Sequence, residues 1–486
     1  MRSTWAIIAL IVAATAAVIA PPMFQRGPGP AGSSDDTVLL FTVWGMPFED
    51  RLFEDVYADG YSALMPGVRV DYRRYGSDLL QKYNTWHTLG RGPDVMRLRV
   101  TDYHGMVARG MLEPLTARIA DADSGISADD LADFPPHIMD ILWIQGELYA
   151  LPEDNAQYGL FYNKAIFDAY NAAHPGEPVG YPNADWTWED LRDAARRLTV
   201  RSATGEIDIA GIDFAIWSWP FMTLFAQAGG ELWDEAGTTC LIDSPAGVRA
   251  LEFLRALQRE DGSYRVSLGR NSPTGPDALF AAGKSAMYLD GSWRVPLLEI
   301  VVPDLDFAVS PLPRGPSEGG RPAVVSGAVL WGISSRAAHK DEGWRMLRWL
   351  IAQEQAQAYW DALRVAPPAS TRIMNSPAFR STRGLKDRDG EYLLPPMSEE
   401  AFADRAAWLL HANQPDRETG KPPGFVPVGL YQTELEERIQ EMLEAWLSPT
   451  NTHDAHEALA RVVSRLHAVI DRDRVSKRLP RVIRDR

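Results

Sequence analysis

Apolar residues along this chain alternate between two periods, and the alternation sets out the elements. The run Thr37-Val-Leu-Leu-Phe-Thr-Val-Trp44 is continuously apolar, as expected of a strand buried on both faces. Helical spacing follows from Glu49 to Met65, then a strand from Val68 to Tyr75, a helix from Asp78 to Leu89 and a short strand from Asp94 to Leu98. Strand, helix, strand, helix, strand in this rhythm predicts a parallel or mixed sheet with helices on its faces. Further on, Gln145-Gly146 separates two apolar runs as a hairpin turn would, Pro152 ends a strand, and Tyr158 to Tyr162 makes a short aromatic strand. Thr187 is an N-cap with Asp190 three residues on, and Trp188, Leu191, Ala195 and Leu198 repeat behind it on one helical face. Ser244 with Pro245 opens another helix. Between 370 and 427 the periodicity weakens around a single helix, Glu399 to His411, before two amphipathic helices from Leu430 to Leu447 and Asp454 to Asp471. The region 370–427 is longer than the rest of the pattern leads one to expect and reads in part as an insertion.

Length and composition narrow the class. At 486 residues the chain exceeds one compact core, so two or more domains are expected. A net charge of -16 disfavours nucleic acid, an anionic membrane or a strongly anionic ligand as partner of the folded body. The 16 Trp residues supply indole faces suited to stacking on the apolar faces of sugar rings, although most are expected in the core. The single Cys240 excludes an intramolecular disulfide and reads as a buried, inert thiol. Arg2 precedes an apolar run from Trp5 to Ala20, so residues 1–24 read as a signal peptide or an N-terminal membrane anchor. No Cys follows it, which excludes a lipoprotein. Residues 25–36 form a Pro/Gly/Ser-rich linker, and 471–486 a basic tail. The body is expected to be exported, periplasmic or otherwise extracytoplasmic.

Catalytic signatures are missing from the sequence. There is no phosphate loop, nucleophile elbow or zinc-protease motif. His453-Asp-Ala-His456 has a metal-compatible spacing but lacks a third ligand, and Asp121-Ala-Asp-Ser-Gly125 lacks the closing Glu of a calcium loop. No catalytic residue, metal ligand or cofactor is assigned.

The segment Gly146-Glu-Leu-Tyr-Ala-Leu-Pro-Glu-Asp-Asn-Ala-Gln-Tyr-Gly-Leu-Phe-Tyr-Asn-Lys-Ala-Ile-Phe167, followed by the helix after Thr187, resembles the extracellular solute-binding proteins of sugar-importing ABC transporters, the maltose-binding protein superfamily. Phe280-Ala-Ala-Gly-Lys-Ser-Ala-Met-Tyr-Leu-Asp-Gly-Ser-Trp293 is similar to that family's F-x-x-G-x-x-A-M-x-x-x-G-x-W segment. Ser326-Gly-Ala-Val-Leu-Trp-Gly-Ile-Ser334 and the helix from Ala338 to Leu350 are similar to its late strand and following helix. The similarity spans Val38 to Pro368 in order, with a weaker echo from Phe425 to Ile439.

The resemblance implies an α/β, two-lobed periplasmic-binding-protein fold of type II, with discontinuous lobes joined by a hinge. Crossings are expected near Pro152, Trp293 to Pro296 and Ser334, giving 37–152 with 297–335 as one lobe and 153–296 with 336–470 as the other. It implies capture of a neutral saccharide by hinge closure and delivery to the permease subunits of an ABC importer, by a monomer that performs no chemistry. Other readings are a receptor for a polyol, a glycerophosphodiester or an oligopeptide, a membrane-anchored sensor, and a glycoside hydrolase. A phosphorylated ligand would want Arg73, Arg97 or Arg364.

Candidate ligand-binding residues follow from both lines of reading. In a two-lobed α/β protein, ligand binds where the carboxyl ends of strands face the cleft. Trp44 ends the first strand, and its alternative is a core role. Asp94 opens a strand and could accept hydroxyl hydrogen bonds, or cap a neighbouring helix. By resemblance, Asn155, Gln157 and Tyr158, beside Asp154, lie at the first crossing, and Ser326 with Gly327 at the second. Trp293 matches the family's tryptophan after Gly-x, and Trp217 and Trp219 are aromatic candidates by position.

Overall fold

The computed structural model describes residues 36–472 apart from 77, 235–238, 266–273, 388, 415, 418–419 and 421. The expected signal peptide or anchor, nearly all of the linker and most of the basic tail lie outside the described residues. Twelve strands are described: β1 Thr37–Trp44, β2 Val68–Tyr75, β3 Val95–Arg99, β4 Ala150–Pro152, β5 Ala156–Asn163, β6 Val200–Arg201, β7 Ile207–Phe214, β8 Ser285–Gly291, β9 Phe307–Ser310, β10 Val324–Gly327, β11 Val329–Gly332 and β12 Gly424–Phe425. They form two sheets, in the orders β2-β1-β3-β11-β4 and β12-β10-β5-β8-β7-β6, with β9 also paired to β5.

The chain divides into two compact units, crossing at Ala156/Gln157, Ser326/Gly327 and Glu399/Glu400. The first crossing falls within the stretch from Asp154 to Tyr158, a few residues after Pro152, and the second at Ser326 and Gly327, where the resemblance also placed one, and not near Trp293 to Pro296; the third falls well beyond the expected place near Ser334. Pairing explains the second: β8 and β9 both run antiparallel to β5, so residues through Ser326 stay with the sheet that β5 organises. Side-chain anchoring explains the third. Asp94 accepts a hydrogen bond from the His339 backbone, Tyr57 donates to the Gln355 carbonyl, and Tyr359 donates to Asp154. These bonds hold the helices Lys340–Leu350 and Gln353–Leu363 in the β1 unit, where the sequence had suggested the other.

In the β1 unit, β1 pairs in parallel with β2 in full register from Thr37↔Val68 to Trp44↔Tyr75, and with β3. β11 then runs antiparallel to β3 and to β4. Its core is aromatic: Phe41 lies 5.5 Å from Trp331 and 6.5 Å from Phe53, all three fully buried. The expected helix from Glu49 to Met65 is one helical stretch of three geometries, a 3-10 turn Pro47–Glu49, a π-helical run Arg51–Ala58 and an α-helix Asp59–Leu64. Gln145 and Gly146 take φ of 53° and 77°, closing the expected tight turn between Ile144 and Glu147. The region 370–399 is packed onto the unit, with Phe379 stacked on Trp360 at 4.5 Å and accepting the Trp360 indole N–H.

In the β5 unit, β5 is buried along its whole length. The helix Trp188–Leu198 starts with a capping box in which Thr187 Oγ1 accepts from the Asp190 backbone and Asp190 accepts from Thr187. Leu191, Ala194, Ala195 and Leu198 are buried, as the spacing predicts. Ser244 caps the helix Pro245–Arg255 with Pro245 in its first turn. Gln432–Trp446 and Ala455–Arg472 are the two closing helices, packed on this core through Leu435, Ile439, Leu459 and Leu466. Cys240 is buried and free, its thiol pushed up to about 11 by burial.

Candidate functional site

The candidate residues fall into both units. Trp44, Asp94, Asn155 and Gly327 belong to the β1 unit, and Gln157, Tyr158, Trp217, Trp219, Trp293 and Ser326 to the β5 unit.

Four of the second group meet. The Tyr158 ring lies 5.9 Å from Trp217, 5.6 Å from Trp219 and 5.8 Å from Trp293. Trp217 and Trp219 are 5.0 Å apart, and Trp293 is 6.2 and 5.9 Å from them. Tyr158 sits near the start of β5, and Trp293 two residues past the end of β8, whose last residue Gly291 pairs with Tyr158. The turn into the helix Ser218–Gln227 carries Trp217 as its extended N-cap. Tyr158 and Trp219 are buried, whereas Trp217 and Trp293 keep partly exposed faces. This cluster can present apolar ring surface to a ligand without unpacking the core.

Polar groups close in sequence to these rings are left without partners. Among the described residues, the Gln157 amide makes no hydrogen bond through either atom although it is fully buried. The same holds for Ser218 Oγ and the Trp219 indole N–H and, farther along the chain, for Ser326 Oγ. A buried donor or acceptor without a partner costs about 1–3 kcal/mol, so such groups are rare outside sites where a ligand or water completes them. Ser218 escaped the sequence reading, for a lone Ser between two Trp residues carries no motif.

In the β1 unit the geometry sorts the candidates differently. Both Asp94 oxygens are taken by backbone N–H groups, Leu40 at 2.9 Å and His339 at 2.8 Å. Asp94 is therefore occupied in tying β1 to the start of the helix Lys340–Leu350, the helix-capping alternative. Asn155 is fully buried, and its backbone N–H donates to the Pro367 carbonyl at 2.9 Å. Gly327 is buried at the end of β10.

Trp44 is half-buried at the end of β1, and its indole N–H makes no hydrogen bond among the described residues. The Arg97 guanidinium lies 5.4 Å from its ring and donates to its carbonyl at 2.8 Å. Arg97 also donates to Glu153 at 2.7 Å, to Glu49 at 3.2 Å and to Tyr359 Oη at 3.3 Å, and Tyr359 donates to Asp154 at 2.9 Å. Two carboxyl groups thus share one buried guanidinium, and Asp154 is linked to it through Tyr359. Burial, with neighbouring carboxylates adding to it, pushes Glu153 up to about 8 and Asp154 up to about 6. Glu49 and Glu153 carry no motif in the sequence, and only long-range packing brings them to Arg97.

The arginines that a phosphorylated ligand would need are committed. Arg97 is enclosed by the carboxyl groups just described, Arg364 donates to the Pro395 carbonyl and Thr382, and Arg73 pairs at the surface with Asp71. His453 bonds Glu457 and His456 bonds Asp243, and among the described residues no cluster of three or more His, Cys, Asp or Glu could hold a metal. Asp121 accepts from the backbone of Asp123 and Ser124, which makes the 121–125 segment a polar turn.

Comparison with known proteins agrees with this architecture. The family model of bacterial extracellular solute-binding proteins matches residues 49–357. A binding protein of Brucella abortus (strain 2308) is 23% identical over 312 residues, covering 62% of this chain and 69% of its own. The mannitol-binding protein of Pseudomonas aeruginosa is 29% identical over 283 residues, covering 56% of this chain and 59% of its own. Among solved structures, an ABC substrate-binding protein of Listeria monocytogenes in complex with cycloalternan superposes with a TM-score of 0.68 at 20% identity, over 90% of this chain and 100% of that one. The fold is the two-lobed α/β fold of such binding proteins, and the chain belongs to the bacterial extracellular solute-binding protein family.

Proposed function

We propose that this protein is the extracytoplasmic receptor of an ABC importer, binding a neutral saccharide and handing it to membrane permease subunits. The observation that carries the reading is the cluster of Tyr158, Trp217, Trp219 and Trp293, whose partly exposed indoles suit the apolar face of a pyranose. The unpartnered Gln157 amide, Ser218 and Ser326 hydroxyls and Trp219 N–H supply donors and acceptors of the kind sugar hydroxyls need. The relative that binds mannitol and the solved structure holding cycloalternan support a polyhydroxylated, uncharged ligand. In the β1 unit, Trp44 is the remaining aromatic candidate.

The protein acts on this reading as a monomer that captures without hydrolysing, and its N-terminal apolar segment serves either as a cleaved signal or as a tether. Among the described residues no helix is long and apolar enough to cross a membrane, so a tether would rest on that segment. The test is a thermal-shift screen of the purified chain against mono- and oligosaccharides, polyols and phosphorylated sugars. At a ligand concentration of about 100 times Kd the expected stabilisation is about 2.7 kcal/mol, a shift of several degrees. A shift only with phosphorylated or peptide solutes would replace the saccharide reading. Release of reducing ends from an oligosaccharide, abolished by one carboxylate substitution, would replace the binder with a hydrolase.

A further inference from the structure

We propose that the buried ion pair of Asp290 and Arg294 is a positioning device for the aromatic cluster: it fixes the turn that carries Trp293, and so sets ligand affinity without touching the ligand. This role rests on the saccharide reading above, in which Trp293 is one of the two partly exposed indoles.

Packing alone does not hold Trp293. Its neighbours Tyr158, Trp217 and Trp219 lie 5.8, 6.2 and 5.9 Å away, and part of the ring stays open. The residue stands in the turn between β8 and the helix Arg294–Val301, with φ of -59° and ψ of -11°. A side chain leaves such a turn in the rotamers that its backbone allows, so whatever fixes residues 291–294 directs the indole.

Both sides of the turn are fastened. Ahead of Trp293, the Ser292 N–H donates to the Gln157 carbonyl at 2.8 Å, and the Gly291 N–H to Asp290 Oδ1 at 2.7 Å. Behind it, Arg294 Nε donates to Asp290 Oδ2 at 2.9 Å. Arg294 Nη1 donates to Asp277 Oδ2, in the first turn of the helix Pro276–Ala281, at 3.3 Å. The Tyr288 hydroxyl also donates to Asp290 Oδ2. One carboxylate thus gathers the strand, the first peptide of the turn and the first residue of the next helix. Asp290 and Arg294 are 2% and 4% exposed, so solvent does not loosen this grip.

Energetics separate positioning from plain stability. Desolvation offsets much of the attraction in a buried ion pair, and an apolar pair of like volume is often as stable. What an apolar pair lacks is direction, because a planar guanidinium meets its carboxylates in few arrangements. Gripped by Asp290 and Asp277, Arg294 holds the peptide next to Trp293 in one place.

The test uses the full chain with Trp293→Ala, with Asp290→Asn/Arg294→Met, and with all three substitutions. The two charges are removed together because Arg294→Met alone would strand a buried carboxylate. Fluorine NMR of the unliganded, fluorotryptophan-labelled proteins reads the geometry, the resonance missing from Trp293→Ala being that of Trp293. In the charge-free variant this resonance should shift or split, while most of the 16 indole resonances stay in place. Maltose and mannitol are then titrated below the melting point of every variant. Removing the pair should weaken the solute that binds about tenfold when Trp293 is present, and less than about twofold beside Trp293→Ala. An unmoved Trp293 resonance, unchanged affinity, or equal weakening in both backgrounds would each overturn the positioning role and leave the pair a core feature. A parent that binds neither solute would count instead against the saccharide reading, and the fluorine spectrum alone would then decide whether the pair positions Trp293.

Discussion

A methyl group added at Gly291 would sit 2.2–2.4 Å from three ring atoms of Trp293, so the indole rests directly on the glycine. This gives a physical reason for the Gly-Ser-Trp ending of the segment 280–293, since only a residue without Cβ lets Trp293 fold back over the end of β8. Gly291→Ala should therefore push the ring from its seat and weaken saccharide binding by about tenfold, or about 1.4 kcal/mol. Trp293→Ala removes the ring and should cost about 2 kcal/mol, or roughly thirtyfold. Both are read by titration after the unliganded melting point of each variant has been measured; a large fall in melting point with unchanged affinity would make Trp293 a core residue. At this scale the sequence was informative where a residue is tied to its neighbours along the chain, as Gly291 is to Trp293. It was ambiguous at Asp94, whose partners Leu40 and His339 lie 54 and 245 positions away.

Elements were legible wherever their signals are local. The helix Trp188–Leu198 shows this most plainly, because Thr187 and Asp190 cap it reciprocally and its buried face follows the 3.6-residue period. Thr187→Ala removes the cap oxygen and should destabilise the protein by about 1 kcal/mol, lowering the melting point by about 2–4 °C. Thr187→Ser should keep most of the cap, and equal melting points for all three proteins would mean that the box contributes nothing. Lobe membership was less legible, since it depends on which strand a segment pairs with. Nothing between Trp293 and Ser326 announces that β9 will join β5, and nothing after Ser334 announces that Tyr359 will bond Asp154. The short stretch from Asp154 to Tyr158 likewise looked like one recognition segment. In the structure Asp154 serves the Arg97 cluster through Tyr359, and Gln157, on the far side of the crossing, keeps its amide unpartnered.

Across the whole molecule, the buried acids give stability a definite dependence on pH. Among the described residues four carboxyl groups are raised, chiefly by burial: Glu153 to about 8, Asp154 to about 6 and Asp361 in the β1 unit, and Asp213 to about 7 in the β5 unit. An acid raised on folding holds its proton in the native state while the unfolded chain has lost it. Its contribution is present in full below the unfolded value and disappears as pH rises through the folded one. Histidines 87, 137 and 411 are lowered, again chiefly by burial, so their contribution is present above about 6.5 and lost as pH falls. Asp130, Asp133 and Glu189 are lowered as well and act only in the acid range. Between pH 6.5 and 8, then, the raised carboxyl groups are the ones still titrating, and the melting point of the unliganded protein should fall across that window. Below it the histidines oppose them, which places the maximum in mildly acid solution. Glu153→Gln keeps the shape of the side chain without its ionisation, so it should flatten the slope between about pH 4.5 and 8 and leave the limb below pH 4.5 unchanged. A parent melting point that is level or rising from pH 6.5 to 8, in buffers of matched ionic strength, would show that these carboxyl groups are already ionised at neutral pH.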